Sequence, residues 1–121
     1  MLHVSDPRFV VVTDRKIWQE AKQHCIEMGA RLMEIRTQEE YVMALQFEDE
    51  LRAFWLGGSD LLAEGNWVWD SNDEEINLNV FWAIGSPSEF KEFNYNCIAM
   101  HSYGMENLRC SRTRPTVCEY N

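Results

Sequence analysis

Positive charge is scarce in this chain. Its 121 residues carry 11 Lys and Arg against 20 Asp and Glu, a formal charge of −9, which repels phosphate backbones and anionic lipid headgroups at long range. Nucleic acid and membrane surfaces are therefore poor first expectations. No apolar run approaches the roughly 20 residues of a membrane span, and the opening Met-Leu-His-Val-Ser-Asp-Pro lacks the apolar centre of a secretion signal. Internal repeats, low-complexity tracts and Asn-x-Ser/Thr acceptors are absent as well. There is no Gly-x-Ser-x-Gly turn, no His-Glu-x-x-His helix and no phosphate-cradling glycine loop, so the expectation is a protein that binds and is not an enzyme.

What is present is a globular composition. Hydrophobic residues make up 45% and aromatics 12%, enough for a core, and the length fits one domain over residues 1–121. Cys25, Cys97, Cys110 and Cys118 include no Cys-x-x-Cys pair, and His3, His24 and His101 share no ligand spacing with them or with each other. A zinc knot is not expected. Two disulfides in an oxidising compartment are, and the spacing by itself leaves three pairings open.

Phe9-Val10-Val11-Val12 reads as a strand, and Trp18, Ala21, Cys25 and Met28 follow at helical spacing until Gly29 stops the run. Leu32 to Ile35 reads as extended and alternating. Thr37-Gln38-Glu39-Glu40 is a capping box that opens a second helix reaching about Glu50. Beyond it, Gly and Asn residues punctuate short aromatic strands such as Phe54-Trp55-Leu56 and Trp67-Val68-Trp69. Residues 70–96 offer little regular pattern, and a loop of that length in a compact domain is usually functional. Cys97–Met100 and Thr116–Tyr120 read as closing strands.

These segments together resemble the C-type lectin-like domain across essentially the whole chain. Trp18 to Cys25 is similar to the family's Trp-x-x-Ala-x-x-x-Cys helix, Phe54-Trp55-Leu56-Gly57-Gly58 to its Trp-Ile-Gly-Gly strand, and Glu64-Gly65-Asn66-Trp67-Val68-Trp69 to its Glu-Gly-x-Trp-x-Trp element. Trp82 to Ser88 is similar to the Trp-x-x-Gly-x-Pro stretch that carries sugar recognition, and Val117-Cys118-Glu119 to the last strand. The resemblance implies an α+β fold of two helices packed on antiparallel sheets with a long loop region. It also implies the nested disulfides Cys25–Cys118 and Cys97–Cys110, a secreted or extracellular location, and glycans or glycoproteins as partners; a single sugar held this way binds weakly, so a homo-oligomer is expected to supply avidity.

In sugar-binding relatives a loop calcium coordinates two sugar hydroxyls, and such ions need about six to eight oxygens, several of them anionic. The usual Glu-Pro-Asn or Gln-Pro-Asp is here Ser86-Pro87-Ser88, the usual carboxylate two before the third cysteine is Tyr95, and the usual Trp-Asn-Asp is Met105-Glu106-Asn107. Only Glu106 keeps a carboxylate. The expectation is a glycan site built from Ser86, Ser88, Glu89, Tyr95, Glu106 and Asn107 in which the standard ion is not formed. Changing both Glu106 and Asn107 to alanine is then expected to abolish binding and leave the melting temperature nearly unchanged. Asp60, Glu64 and Glu89 fall on the family's auxiliary calcium positions, so calcium is allowed without being required. Glu40 and Glu119 form a third ion contact in some relatives, or else a helix cap and an exposed strand carboxylate.

Loop aromatics Phe81, Phe90, Phe93, Tyr95 and Tyr103 are candidates for stacking on sugar rings, whereas Trp55, Trp67, Trp69 and Trp82 fall on core positions. Arg109, Arg112 and Arg114 form the one basic cluster in the sequence, either a solvated hairpin or an anion site with forked hydrogen bonds. Two other readings of the loop face remain: a flat protein-binding interface independent of calcium, and a surface for mineral or ice.

Overall fold

The computed structural model describes residues 6–88 and 94–120. Strand β1 (Phe9–Lys16) leads into helix α1 (Trp18–Glu27), a short β2 (Arg31–Leu32) and helix α2 (Gln38–Leu51). Strands β3 (Phe54–Ser59), β4 (Val68–Trp69), β5 (Cys97–His101), β6 (Gly104–Leu108) and β7 (Arg114–Glu119) complete the chain. They form one seven-stranded sheet ordered β1-β7-β3-β5-β6, with β2 on β7 and β4 on β3.

Strand alternation sorts the core into two layers. From β3 and β5, Phe54, Leu56, Ile98 and Met100 point to the face covered by Ala44 and Phe47 of α2, together with Trp67, Trp69 and Ile76 from the loops. Trp55, Cys97 and Ala99 point to the other face, under Trp18, Ala21 and Cys25 of α1. The sheet therefore has a helix on each side. The expected α+β fold of two helices on antiparallel strands is present, with one parallel pairing added to it: β3 and β7, with Trp55 opposite Thr116. The final strand inserts between β1 and β3 in the same direction as β3, which makes the sheet mixed.

Local signals explain the helix ends. Gly29 takes φ +77°, and Ala30 N–H donates to Cys25 O at 2.9 Å, closing α1 as a left-handed glycine stop does. At α2, Glu40 N–H donates to Thr37 Oγ1 at 3.1 Å and Thr37 N–H donates to Glu40 Oε1 at 2.9 Å, the reciprocal pair of a capping box. After β2, Met33, Glu34 and Ile35 are all buried, so the expected alternation is lost. Glu34 is held there by Ser71, whose N–H and hydroxyl both donate to it, and by Arg36 at 2.6 Å.

Both disulfides are the nested pair. Cys25–Cys118 ties α1 to β7 across 93 positions, and Cys97–Cys110 closes 13. Trp18 Nε1 donates to Leu56 O at 2.9 Å and Trp55 Nε1 to Lys16 O at 2.8 Å, so the two buried indoles carry no orphaned N–H. Among the described residues, no helix is long and apolar enough to cross a membrane.

Candidate ligand-binding site

The long connection after β4 returns to the sheet at Trp82, which bridges Met105 of β6 in parallel. Met105 N–H donates to Phe81 O at 2.7 Å, and Ala83 N–H donates to Met105 O at 2.9 Å. Glycine is required beside this contact. Gly104 has φ +125°, and a Cβ there would lie 2.8 Å from both Ala83 N and Phe81 O. The chain then turns, with Ser86 N–H donating to Ala83 O at 2.9 Å, and passes through a cis Ser86–Pro87 bond.

Asn107 stands beneath that turn, 5% exposed. Its Nδ2 donates to Ser88 O at 2.9 Å and to Tyr95 O at 2.8 Å, while its Oδ1 accepts Ser88 N–H at 2.7 Å. One amide thus ties both limbs of the loop to β6. This revises the expectation that Glu106 and Asn107 can be removed together at no cost in stability, because Asn107 is buried under the loop and satisfies three of its backbone groups. Glu106, its neighbour on the opposite face of the strand, is half-buried.

Glu106 and Ser86 line a hollow of about 410 Å³ with Trp82, Ala83, Ile84, His101 and Tyr103. Tyr103, at the tip of the β5–β6 hairpin, is 81% exposed, and its ring stacks on that of His101 at 6.3 Å between centroids. Ile84 is fully exposed. Of the other stacking candidates, Phe81 is packed on Tyr41 at 4.8 Å and Tyr95 is half-buried. Glu89, Phe90 and Phe93 lie outside the described residues. Trp55, Trp67 and Trp69 are core residues as expected, but Trp82 is only half-buried and forms a wall of the hollow. His101 and Ile84 carried no spacing signal. Trp82, Ser86, Tyr103 and Glu106 are singled out from the sequence, and the hollow brings these four together.

Directly after β3, Asp60 is 3% exposed. Gly65 N–H donates to its Oδ2 at 2.9 Å, whereas its Oδ1 is buried without a hydrogen-bond donor. Burial, followed by the neighbouring Glu64 carboxyl, pushes Asp60 up to about 6. Folding raises this pKa, so the contribution of the protonated carboxyl is complete below its unfolded value and is lost as pH rises through about 6. In chelator, the melting temperature is expected to rise between pH 7 and pH 5, and Asp60→Asn to remove that part of the slope. A thermal scan series checks both, and an unchanged slope in the variant would assign it to other groups.

The other carboxylates considered as ion contacts are engaged by the protein itself. Glu40 Oε1 accepts Arg36 N–H and Thr37 N–H, and Glu119, expected to be exposed, is buried and accepts Glu34 N–H at 2.9 Å.

Residues 14–120 match the family model described as Lectin C-type domain. The chain belongs to the C-type lectin domain family. Human C-type lectin domain family 6 member A is 29% identical over 116 residues, covering 93% of this chain and 55% of that protein. This lectin domain spans about half the length of the curated relatives it matches. The trimeric structure of the Kupffer cell C-type lectin receptor Clec4f superposes with a TM-score of 0.81 at 25% identity, over 93% of this chain and 77% of that one. A calcium-dependent type II antifreeze protein in its calcium-free form superposes at 0.80 with 20% identity, over 93% and 90%. The latter likeness concerns the fold alone.

The ion associated with this family can be tested against the donors of the lectin domain. Asp60 Oδ1 is a buried anionic oxygen without a partner beside a second carboxylate, which fits calcium. Near Ser86-Pro87-Ser88 the fit is poor, because the Asn107 amide is already bonded to the loop backbone. Among the described residues, no three His, Cys, Asp or Glu gather as a metal cluster.

Proposed function

We infer that this lectin domain is an extracellular carbohydrate-binding module that reads glycans through the hollow beside Ser86-Pro87-Ser88 without an ion in the sugar contact. The observation that carries the reading is the Asn107 amide. Its NH2 group bridges the carbonyls of Ser88 and Tyr95, so the two limbs of the loop are held together without an ion. Ser86 and Glu106 supply hydroxyl and carboxylate partners for sugar hydroxyls, and exposed Tyr103 supplies an apolar face for the ring. Ser88, Tyr95 and Asn107 fix the loop that carries Ser86. Asp60 and Glu64, with Glu89 as the third member expected from the sequence, would hold calcium away from the sugar. Calcium held there would neutralise the Asp60–Glu64 pair and would stabilise the fold by mass action.

Such a shallow site binds a single sugar weakly, so several copies acting together are needed for useful avidity. The trimeric assembly named for the Clec4f structure supports the same arrangement here. Two disulfides support an oxidising, extracellular setting. The domain binds its ligand and leaves it chemically unchanged.

A glycan array probed with and without chelator tests the reading, the expected result being a signal that survives chelator. Tyr103→Ala is expected to lose that signal and to shift stability by less than about 0.5 kcal/mol, since the ring is exposed. Retention of the full signal in the variant would exclude the hollow. A second reading, a calcium-independent protein partner, is favoured by fully exposed Ile84 on the rim. Silence across the array would select it.

A further inference from the structure

The fold gathers positive charge that the sequence scatters. Lys16 at the end of β1 pairs with Arg114 at the start of β7, which brings Arg15 against the hairpin of Arg112 and Arg114. Arg15 Nη2 and Arg114 Nη1 both donate to Thr113 O, at 3.0 and 2.8 Å. Two guanidinium groups therefore converge on one carbonyl. The hairpin is itself anchored, because Arg112 N–H donates to Arg109 O, Cys110 is bonded to Cys97, and Trp18 N–H donates to Cys110 O at 3.1 Å.

No carboxylate forms an ion pair with Arg15, Lys16, Arg112 or Arg114 among the described residues. This holds in a chain where acids outnumber bases 20 to 11. The charges press on one another: burial first, then Arg15 and Arg112, push the Arg114 guanidinium below its ordinary range. A guanidinium has five N–H donors, and Arg15 and Arg114 each show one donated to Thr113 O. The remaining forks suit a tetrahedral oxyanion.

We propose that Arg15, Arg112 and Arg114 form an anion-binding surface for the sulfate esters of an acidic polysaccharide, separate from the Tyr103 hollow. A polysaccharide is preferred to other polyanions because β6, which carries Glu106 of that hollow, ends at Leu108 and runs directly into the turn that bears Arg112 and Arg114. The two surfaces are therefore close enough for one chain of sugars. The proposal rests on the glycan reading only in that choice of occupant.

The test compares retention on immobilised dextran sulfate and on dextran, which differ only in the sulfate esters. The wild-type domain is expected to bind dextran sulfate alone, and to bind it less as salt rises from about 50 to about 300 mM. Arg15→Gln/Arg112→Gln/Arg114→Gln is expected to lose roughly tenfold or more of that affinity. Arg112→Gln, which removes only an exposed side chain, covers the case in which the triple variant fails to fold and is expected to lose about threefold. Arg8→Gln, which removes the same charge at the opposite end of β1 from Arg15, is expected to bind dextran sulfate like wild type. Equal binding by wild type and Arg112→Gln, an equal loss of binding in Arg8→Gln, or equally strong arginine-dependent binding of single-stranded DNA would each overturn the assignment. A glycan array silent to neutral sugars, with dextran sulfate binding intact, would remove the reading of the hollow and support this surface on its own.

Discussion

Replacing Cys25 and Cys118 with alanine is expected to cost about 4.7 kcal/mol, the chain-entropy value for a loop near 100 residues. The bridge closes 93 positions, whereas the Cys97–Cys110 bridge closes 13 and is worth about 3 kcal/mol in the same terms. Both sulfurs of the long bridge are fully buried between α1 and the sheet, so the loss of packing adds to the entropic cost. A domain of this size has about 5–15 kcal/mol in total. The variant should therefore approach half-unfolding at ambient temperature, and removal of the short bridge should leave it folded. Chemical denaturation of both variants measures the difference. Equal midpoints would mean that the unfolded chain is already compact enough to make loop length irrelevant.

Asn107→Ala is the second large effect. The change strands Ser88 N–H, Ser88 O and Tyr95 O, each worth about 1–3 kcal/mol if left buried, with part of that recovered as the loop reaches water. A net loss of about 3 kcal/mol is expected, together with the whole glycan signal. Asn107→Asp is more discriminating. It keeps the size and the acceptor but sets a carboxylate oxygen against two carbonyl oxygens, a repulsion that a cation relieves. Millimolar calcium is therefore expected to raise the melting temperature of Asn107→Asp more than that of the wild type. Equal calcium responses would remove the idea that the amide stands in for an ion.

Much of this architecture was legible in short stretches of sequence. Trp18, Ala21 and Cys25 mark a buried helix face by spacing alone, and Thr37 with Glu40 marks the start of α2. The disulfide pairing came from the family resemblance, since spacing left three options. What escaped the sequence depends on partners far along the chain. Asn107 acts on residues 19 and 12 positions away, so nothing local distinguishes a buried amide from a ligand. Arg15 joins Thr113 across 98 positions, and only the β1–β7 register brings them together. Trp82 sits on a core position of the motif yet stays half-buried, because the wall that would cover it is the open hollow. Glu119 looks like the outward residue of a final strand, but β2 packs beside it and buries it.

Gly104 has a consequence for how a ligand is received. The missing side chain lets segment 81–83 lie against the β5–β6 hairpin, main chain on main chain, so the walls bearing Trp82 and Tyr103 are joined at their base. Such a cleft is preorganised, so the proposed glycan ligand would gain contact energy without first freezing a wandering loop. Affinity can then reside in a few polar groups and one aromatic ring, with selectivity set by the fixed width between the walls.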